Sequence, residues 1–249
     1  MDYRIVICSH KRSDIIQKRT LAFLSTYQIP LEKIFVFVAP EEMEVYQKAL
    51  PGVQIQEGAL GLKENKNKAV ASFPEGAPLI FFDDDVKGLF QKEGERLVPV
   101  PDLHQVFLDG FKLCQERGCS LWGFYPCANA KWLKKSYTEG LVFIYGCAYG
   151  VFNRRDVVIE ESFKEDYEKS IRFYERDGKS LRLNWIAPKQ TYLKGKGGLN
   201  ESRTYEKEVS AAMKLKSKFP GYVILCHKKD RIDIRFPRQL FTTNPLHEG

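Results

Sequence analysis

Residues 77–90, APLIFFDDDVKGLF, run four apolar side chains, Leu79, Ile80, Phe81 and Phe82, straight into three carboxylates, Asp83, Asp84 and Asp85. A short apolar run bounded by turn-forming residues reads as a strand buried on both faces. The three adjacent carboxylates repel one another, so a compensating charge is expected beside them. Carboxylates at i and i+2 around a tight turn, here Asp83 and Asp85, can aim at one hard cation, directly or through water, while Asp84 points elsewhere. A solvated acidic turn is the competing reading of the same three residues.

The stretches upstream repeat the pattern. Residues 3–8 (YRIVIC) read as a buried strand ending in the polar turn Ser9-His10-Lys11-Arg12, and residues 13–28 as a helix with Ser13 at its cap. Residues 34–38 (IFVFV) form a second strand, 41–50 a short helix stopped by Pro51-Gly52, 53–55 a brief strand and 61–73 a helix. Alternating strand and helix imply an α/β fold with a doubly wound, mostly parallel sheet and helices on both faces. Ligands of such sheets bind beyond the carboxyl ends of the strands, where both SHKR and DDD fall.

Farther along, 101–118 read as an amphipathic helix and 121–127 as a strand entering an irregular loop. Residues 141–155 (LVFIYGCAYGVFNRR) read as two short strands around a glycine-interrupted turn, and 165–178 as a helix. A short strand (LRLNW), a basic glycine-rich loop (LKGKGGLNESR), a helix and the strand YVILCH complete the chain. One domain over 1–249 with a basic C-terminal elaboration is the simplest organisation.

Composition narrows the function classes. The 249 residues are 43% hydrophobic and 13% aromatic, enough for a sizeable core. No apolar run nears the ~20 residues of a membrane helix, and the N-terminus reads as a strand rather than a secretion signal, so a cytoplasmic location is expected. The six cysteines form no C-x-x-C pair, which argues against a zinc ribbon and for reduced thiols. The net charge of +7 is concentrated. Residues 186–249 hold 13 Lys and Arg against 6 Asp and Glu, whereas 1–185 hold 26 of each. That asymmetry points to a polyanionic partner, with a solubilising lysine surface as the bland alternative.

Four further motifs carry chemistry. Ser9 and Arg12, at the end of the first strand, suit a nucleotide's phosphate or base. Lys63, Lys66 and Asn67 share a helix face and can reach a diphosphate, or simply face solvent. Glu165 and Asp166 open a helix after the Gly146/Gly150 segment. There the helix dipole favours an ionised carboxylate suited to a general base, or to a plain capping acid. His227, where a strand meets polar residues, can offer one imidazole nitrogen to a metal.

The order of these features resembles the GT-A glycosyltransferases. More narrowly, "ICSHKR…TLAFL…IPLEKIFVFVAPEE", "GLKENKNKAV…FPEGAPLIFFDDDVKGL" and "GGLNESRTYEKEVSAAMKLKSKFP" resemble the TET-associated glycosyltransferases of phages, relatives of the glucosyltransferase that makes base J. The resemblance spans most of the chain and is strongest over 4–90. It implies a GT-A-like fold and transfer of a sugar from a UDP-sugar to the hydroxyl of a 5-hydroxymethylpyrimidine in double-stranded DNA, 5-hydroxymethylcytosine first, in a phage-infected host cell.

By position it implies that Asp83 and Asp85, with His227 as a third ligand, hold Mn²⁺ or Mg²⁺ on the diphosphate. Ser9, Arg12, Lys63, Asn67, Asp84 and Gly146 then sit at the donor, and Asp166, beside Glu165, is the base. Lys66 stands where the family pattern has an arginine. The basic side chains Lys194, Lys196, Arg203, Lys228 and Lys229 of the C-terminal segment suit DNA phosphates; where a base is extruded, a Tyr or Trp such as Trp132 can fill the gap. A GT-A enzyme with a glycan or small-molecule acceptor, a nucleotidyltransferase and a non-catalytic DNA-binding module are the alternatives.

Overall fold

A computed structural model of the protein describes residues 1–190, 204–228 and 231–246. In chain order the strands are β1 (Arg4–Cys8), β2 (Ile34–Val38), β3 (Gln54–Glu57), β4 (Pro78–Phe82), β5 (Val86–Glu93), β6 (Arg96–Pro99) and β7 (Leu121–Phe124). They continue as β8 (Ser136–Gly140), β9 (Ala148–Phe152), β10 (Ser180–Leu183), β11 (Ile186–Gln190), β12 (Ile224–Lys228), β13 (Arg231–Arg235) and β14 (Phe241–Pro245). The helices are α1 (Ser13–Ile16), which runs through a π turn (Gln17–Leu21) into α2 (Ala22–Thr26), then α3 (Met43–Ala49), α4 (Leu62–Ser72), α5 (Leu103–Glu116), α6 (Glu165–Asp177) and α7 (Tyr205–Lys218).

Among the described residues, nine strands form one sheet in the order β14-β8-β10-β7-β9-β4-β1-β2-β3. β1 pairs in parallel with β2 and β4, β2 with β3, and β10 with β7. Only β8 and β9 run against the rest, each antiparallel to both its neighbours. The expected α/β sheet is therefore present, extended by antiparallel strands.

Its core follows from strand alternation. Ile5 and Ile7 of β1 face one layer with Ile16, Leu24, Tyr46, Phe107 and Phe111. Val6, between them, faces the other layer with Ala69, Leu79, Phe81 and Phe173. Helices α1–α3 and α5 thus cover one face, and α4 and α6 the other. A third cluster, including Ile171, Ala212, Leu215 and Ile232, fixes α7 and β13 against α6.

The carboxyl ends of β1, β4, β7 and β10 lie along one edge of the sheet, because these four strands share a direction. One expectation changes. Residues 141–155 give one strand, β9, rather than two, because 141–147 leave the sheet to cross the start of α6, where Ile144 N–H donates to Ser170 Oγ at 3.0 Å. The stretch after the acidic turn is a hairpin, β5–β6, with β11 alongside as a separate sheet.

Candidate active site

The acidic turn is tied at both ends and through its middle. Asp83 N–H donates to Cys147 O at 2.9 Å. Asp83 O accepts from Thr20 Oγ at 2.7 Å, and the same Thr20 oxygen accepts from Val86 N–H at 3.0 Å. Thr20 sits buried inside the π turn, a local widening of the helix that often accompanies functional sites. Asp84 is buried, and its two oxygens accept from Ser9 Oγ at 2.7 Å and Arg12 Nη1 at 3.1 Å. Tyr46 Oη bonds Ser9 Oγ at 2.8 Å and accepts from Arg12 N–H at 2.9 Å. Asp84, Ser9 and Arg12, expected at the nucleotide, thus lock one another. The alternation of the turn explains it, since the middle carboxylate faces β1.

Asp83 and Asp85 are left differently. Neither carboxylate accepts a hydrogen bond from another described side chain, and the nearest cation to Asp85 is Arg12, at 3.9 Å. Burial, then the carboxylates beside it, pushes Asp83 up to about 7 against the pull of Lys66. Burial and Asp84 push Asp85 up to about 6. Two hard oxygen donors, neither hydrogen-bonded by a described side chain, fit a divalent cation. Among the described residues no third His, Cys, Asp or Glu joins them in metal-binding reach. His227 lies in β12, outside the main sheet, with its side chain outside the described residues.

A second charged group faces the turn. Lys66 of α4 donates to Glu165 Oε1 at 2.5 Å, and Lys169, one turn along α6, comes within 4.0 Å of Glu165 Oε2. Burial opposes the Lys66 charge, yet Glu165, Tyr149 and Asp83 raise its pKa well above the ordinary lysine value. Glu165 likewise overcomes burial, held below the usual range by Lys66 and Lys169. Burial brings Lys169 down to about 8, and its Nζ lies 3.4 Å from the centroid of the Tyr149 ring. Glu165, counted with the bases by its position, is consequently neutralised by two lysines and poorly placed to take a proton.

Asp166 is not neutralised in this way. Burial, then Glu165, push it up to about 6, and one of its oxygens accepts the adjoining Tyr167 N–H at 3.0 Å. Gly146 and Cys147 connect the two acidic pairs. A Cβ on Gly146 would stand 2.7 Å from Glu165 Oε1 and 3.4 Å from Asp166 Cβ, so only glycine lets this segment lie on α6. One residue later Cys147 O holds the Asp83 amide. Gly146 therefore seats the backbone and offers no donor-binding side chain.

The remaining expected residues fall elsewhere. Asn67 exchanges two hydrogen bonds with the Ile159 backbone, at 2.8 and 3.0 Å, and clamps that loop to α4. Lys63 donates to Glu160 O at 2.9 Å on the surface. Lys66, the lysine in the arginine position, is the one that enters the site. Lys194, Lys196, Arg203 and Lys229 lie outside the described residues, as does the Lys228 side chain. Glu42 was not singled out by sequence, yet it holds the SHKR turn, accepting from Lys11 N–H at 2.6 Å and contacting His10 Nδ1 at 2.7 Å. Lys169 was also missed, although its spacing of four from Glu165 was a usable signal.

The mostly parallel sheet with helices packed on both faces has the GT-A fold. It aligns with a structure of Staphylococcus aureus TarS, residues 1–349, at 12% identity and TM-score 0.52, over 87% of this chain and 66% of that one. It aligns over 98% of its length with 89% of glucosyl-3-phosphoglycerate synthase from Mycobacterium tuberculosis, solved with Mn²⁺, UDP and glucosyl-3-phosphoglycerate, at 12% identity and TM-score 0.50. A further mycobacterial protein gives 12% identity, coverage of 98% and 86%, and TM-score 0.51. At such identity the likeness is one of fold. No protein-family model and no curated protein matches the sequence.

Proposed function

We propose that the protein is a metal-dependent glycosyltransferase that moves a sugar from a UDP-sugar to the hydroxyl of a 5-hydroxymethylpyrimidine in DNA, 5-hydroxymethylcytosine first. The observation that carries this reading is the carboxylate pair Asp83 and Asp85, which no described side chain hydrogen-bonds, joined to the Asp166 end of α6 through the Gly146–Cys147 backbone in a GT-A fold. The DNA acceptor rests on the sequence resemblance and on the positive charge gathered in the last quarter of the chain.

Asp83 and Asp85 would hold Mn²⁺ or Mg²⁺, and the bound cation would supply Lewis-acid stabilisation of a departing diphosphate. The chain's own residues do the rest. Ser9, Arg12 and Tyr46 fix Asp84 and with it the shape of the turn. Burial, then the Glu165 charge that Lys66 and Lys169 hold beside it, push Asp166 up to about 6, in the range of a general base. Asp166 then takes the proton of the acceptor hydroxyl as the oxygen bonds to the anomeric carbon. The bond from that carbon to the diphosphate breaks with its electron pair on UDP. This is a single displacement with inversion.

The test incubates the protein with hydroxymethylated DNA, a panel of UDP-sugars and Mn²⁺, and reads nucleosides by mass spectrometry. A hexosylated hydroxymethylpyrimidine and free UDP are expected. Transfer to a glycan but not to DNA would overturn the acceptor, and release of pyrophosphate would overturn the reaction class.

A further inference from the structure

The loop between β7 and β8 carries charge and an aromatic that the site described above does not use. From Arg117 to Thr138 the sequence has no Asp or Glu, while residues 131–135 read KWLKK. Leu133 is buried and pins the loop; Lys131, Trp132, Lys134 and Lys135 are exposed around it. The loop has a fixed shape. Asn129 N–H donates to Cys127 O at 2.9 Å, Lys131 N–H to Asn129 Oδ1 at 3.0 Å, Trp132 N–H to Asn129 O at 3.0 Å and Lys134 N–H to Asn184 O at 3.0 Å. Trp132 stays 52% exposed, with Lys131 Nζ 5.8 Å from its ring centroid. A large aromatic held open by its own backbone loses little entropy when a planar partner stacks on it.

Beneath the loop, at the end of β10, lies Arg182. Its guanidinium stands 5.1 Å from the centroid of the Tyr125 ring, and Nε donates to Asn184 Oδ1 at 3.0 Å. Burial lowers its pKa, and among the described residues neither Arg182 nor Lys131 nor Lys134 makes an ion pair. A partly buried guanidinium with open donors and no carboxylate suits a phosphate from outside the chain. The position is telling. β7 and β10 end on the same sheet edge as β4, and two or three strand spacings of about 4.8 Å put the loop on the order of 10–14 Å from the Asp83 turn.

We infer that this loop, with Arg182 and Tyr125, is a nucleic-acid contact surface. Lys131, Lys134 and Arg182 meet backbone phosphates, and Trp132 stacks on an unpaired or extruded base. As a route for the acceptor it rests on the function proposed above; as a binding surface it is testable alone. Regularly spaced phosphates interleaved with aromatic planes match cations interleaved with Trp132 and Tyr125. A membrane surface fits less well, because Trp132 is the one large apolar side chain that this loop exposes.

The test measures full-length protein binding to unmodified fluorescein-labelled DNA, single-stranded and duplex with a mismatch, by anisotropy across a salt series. Trp132→Ala is expected to weaken binding at least fivefold, and Lys131→Ala with Lys134→Ala to flatten the log K against log salt slope by about 1.4–1.8. Retention of wild-type affinity and slope by both variants would overturn the inference. So would loop-dependent binding to phosphatidylserine vesicles without DNA binding. Parallel UDP and Mn²⁺ titration separates the two ideas: loop-dependent DNA binding without donor binding leaves this surface standing and removes the transferase reading, and donor binding without loop-dependent DNA binding does the reverse.

Discussion

Two acidic pairs face each other in this crevice, and they have opposite surroundings. Glu165 is met by Lys66 and Lys169 and stays ionised in a buried place. Asp83 and Asp85, two positions apart, accept no hydrogen bond from a described side chain; Lys66 pulls on the first and Arg12 stands 3.9 Å from the second, yet burial raises them to about 7 and about 6. Adjacent carboxylates are thus no guide to role. The cation that the fold brings to each one decides whether it is a structural counter-ion or an open ligand.

The comparison breaks first at the open pair. Asp83→Ala with Asp85→Ala is expected to bring UDP-sugar turnover below detection, with an unchanged circular dichroism spectrum. Turnover in chelator-treated buffer would sink the metal role. Next comes the base: Asp166→Asn is expected to lower turnover about a hundredfold or more while UDP affinity holds. A variant that kept both would remove Asp166 from the reaction.

The neutralised pair gives a stability effect instead. Glu165→Gln leaves Lys66 and Lys169 without their anion and is expected to cost about 3 kcal/mol in urea unfolding. A loss under about 1 kcal/mol would show that the pairing matters little.

Proton linkage separates the pairs further. The folded-state pKa of Asp83 and Asp85 is raised, so their contribution to stability is present below about 4 and disappears as pH rises through about 6 to 7. Mn²⁺ competes with those protons. Its thermal stabilisation, read by scanning fluorimetry, is expected to be larger at pH 8 than at pH 5.5, and a pH-independent shift would place the ion elsewhere. The smallest effect belongs to Lys63→Ala, on the surface, expected within about 0.5 kcal/mol.

Much of the first half was legible because β1, β2 and β4 are apolar runs closed by polar turns, and α4 and α5 carry clear boundaries. The strands β8, β11, β13 and β14 were not. SYTEG, IAPKQ, RIDIR and FTTNP lack long apolar runs, being edge or partly solvated strands whose pairing partners lie far along the chain. The site divides in the same way. The spacing of Asp83 and Asp85 is a local feature, whereas the Ser9–Asp84 bond joins residues 75 apart and the Lys66–Glu165 pair residues 99 apart.

The sequence by itself determined the alternating α/β order, the acidic turn at the end of a buried strand and the basic bias of the C-terminal quarter. Periodicity, chain punctuation and charge are local properties and need no partner to be read. Only the tertiary structure decided that Asp84 is locked, that Lys66 rather than Lys63 enters the crevice, and that Glu165 is neutralised beside Asp166. Those outcomes depend on which distant charge shares a low-dielectric space, and chain folding alone sets that distance.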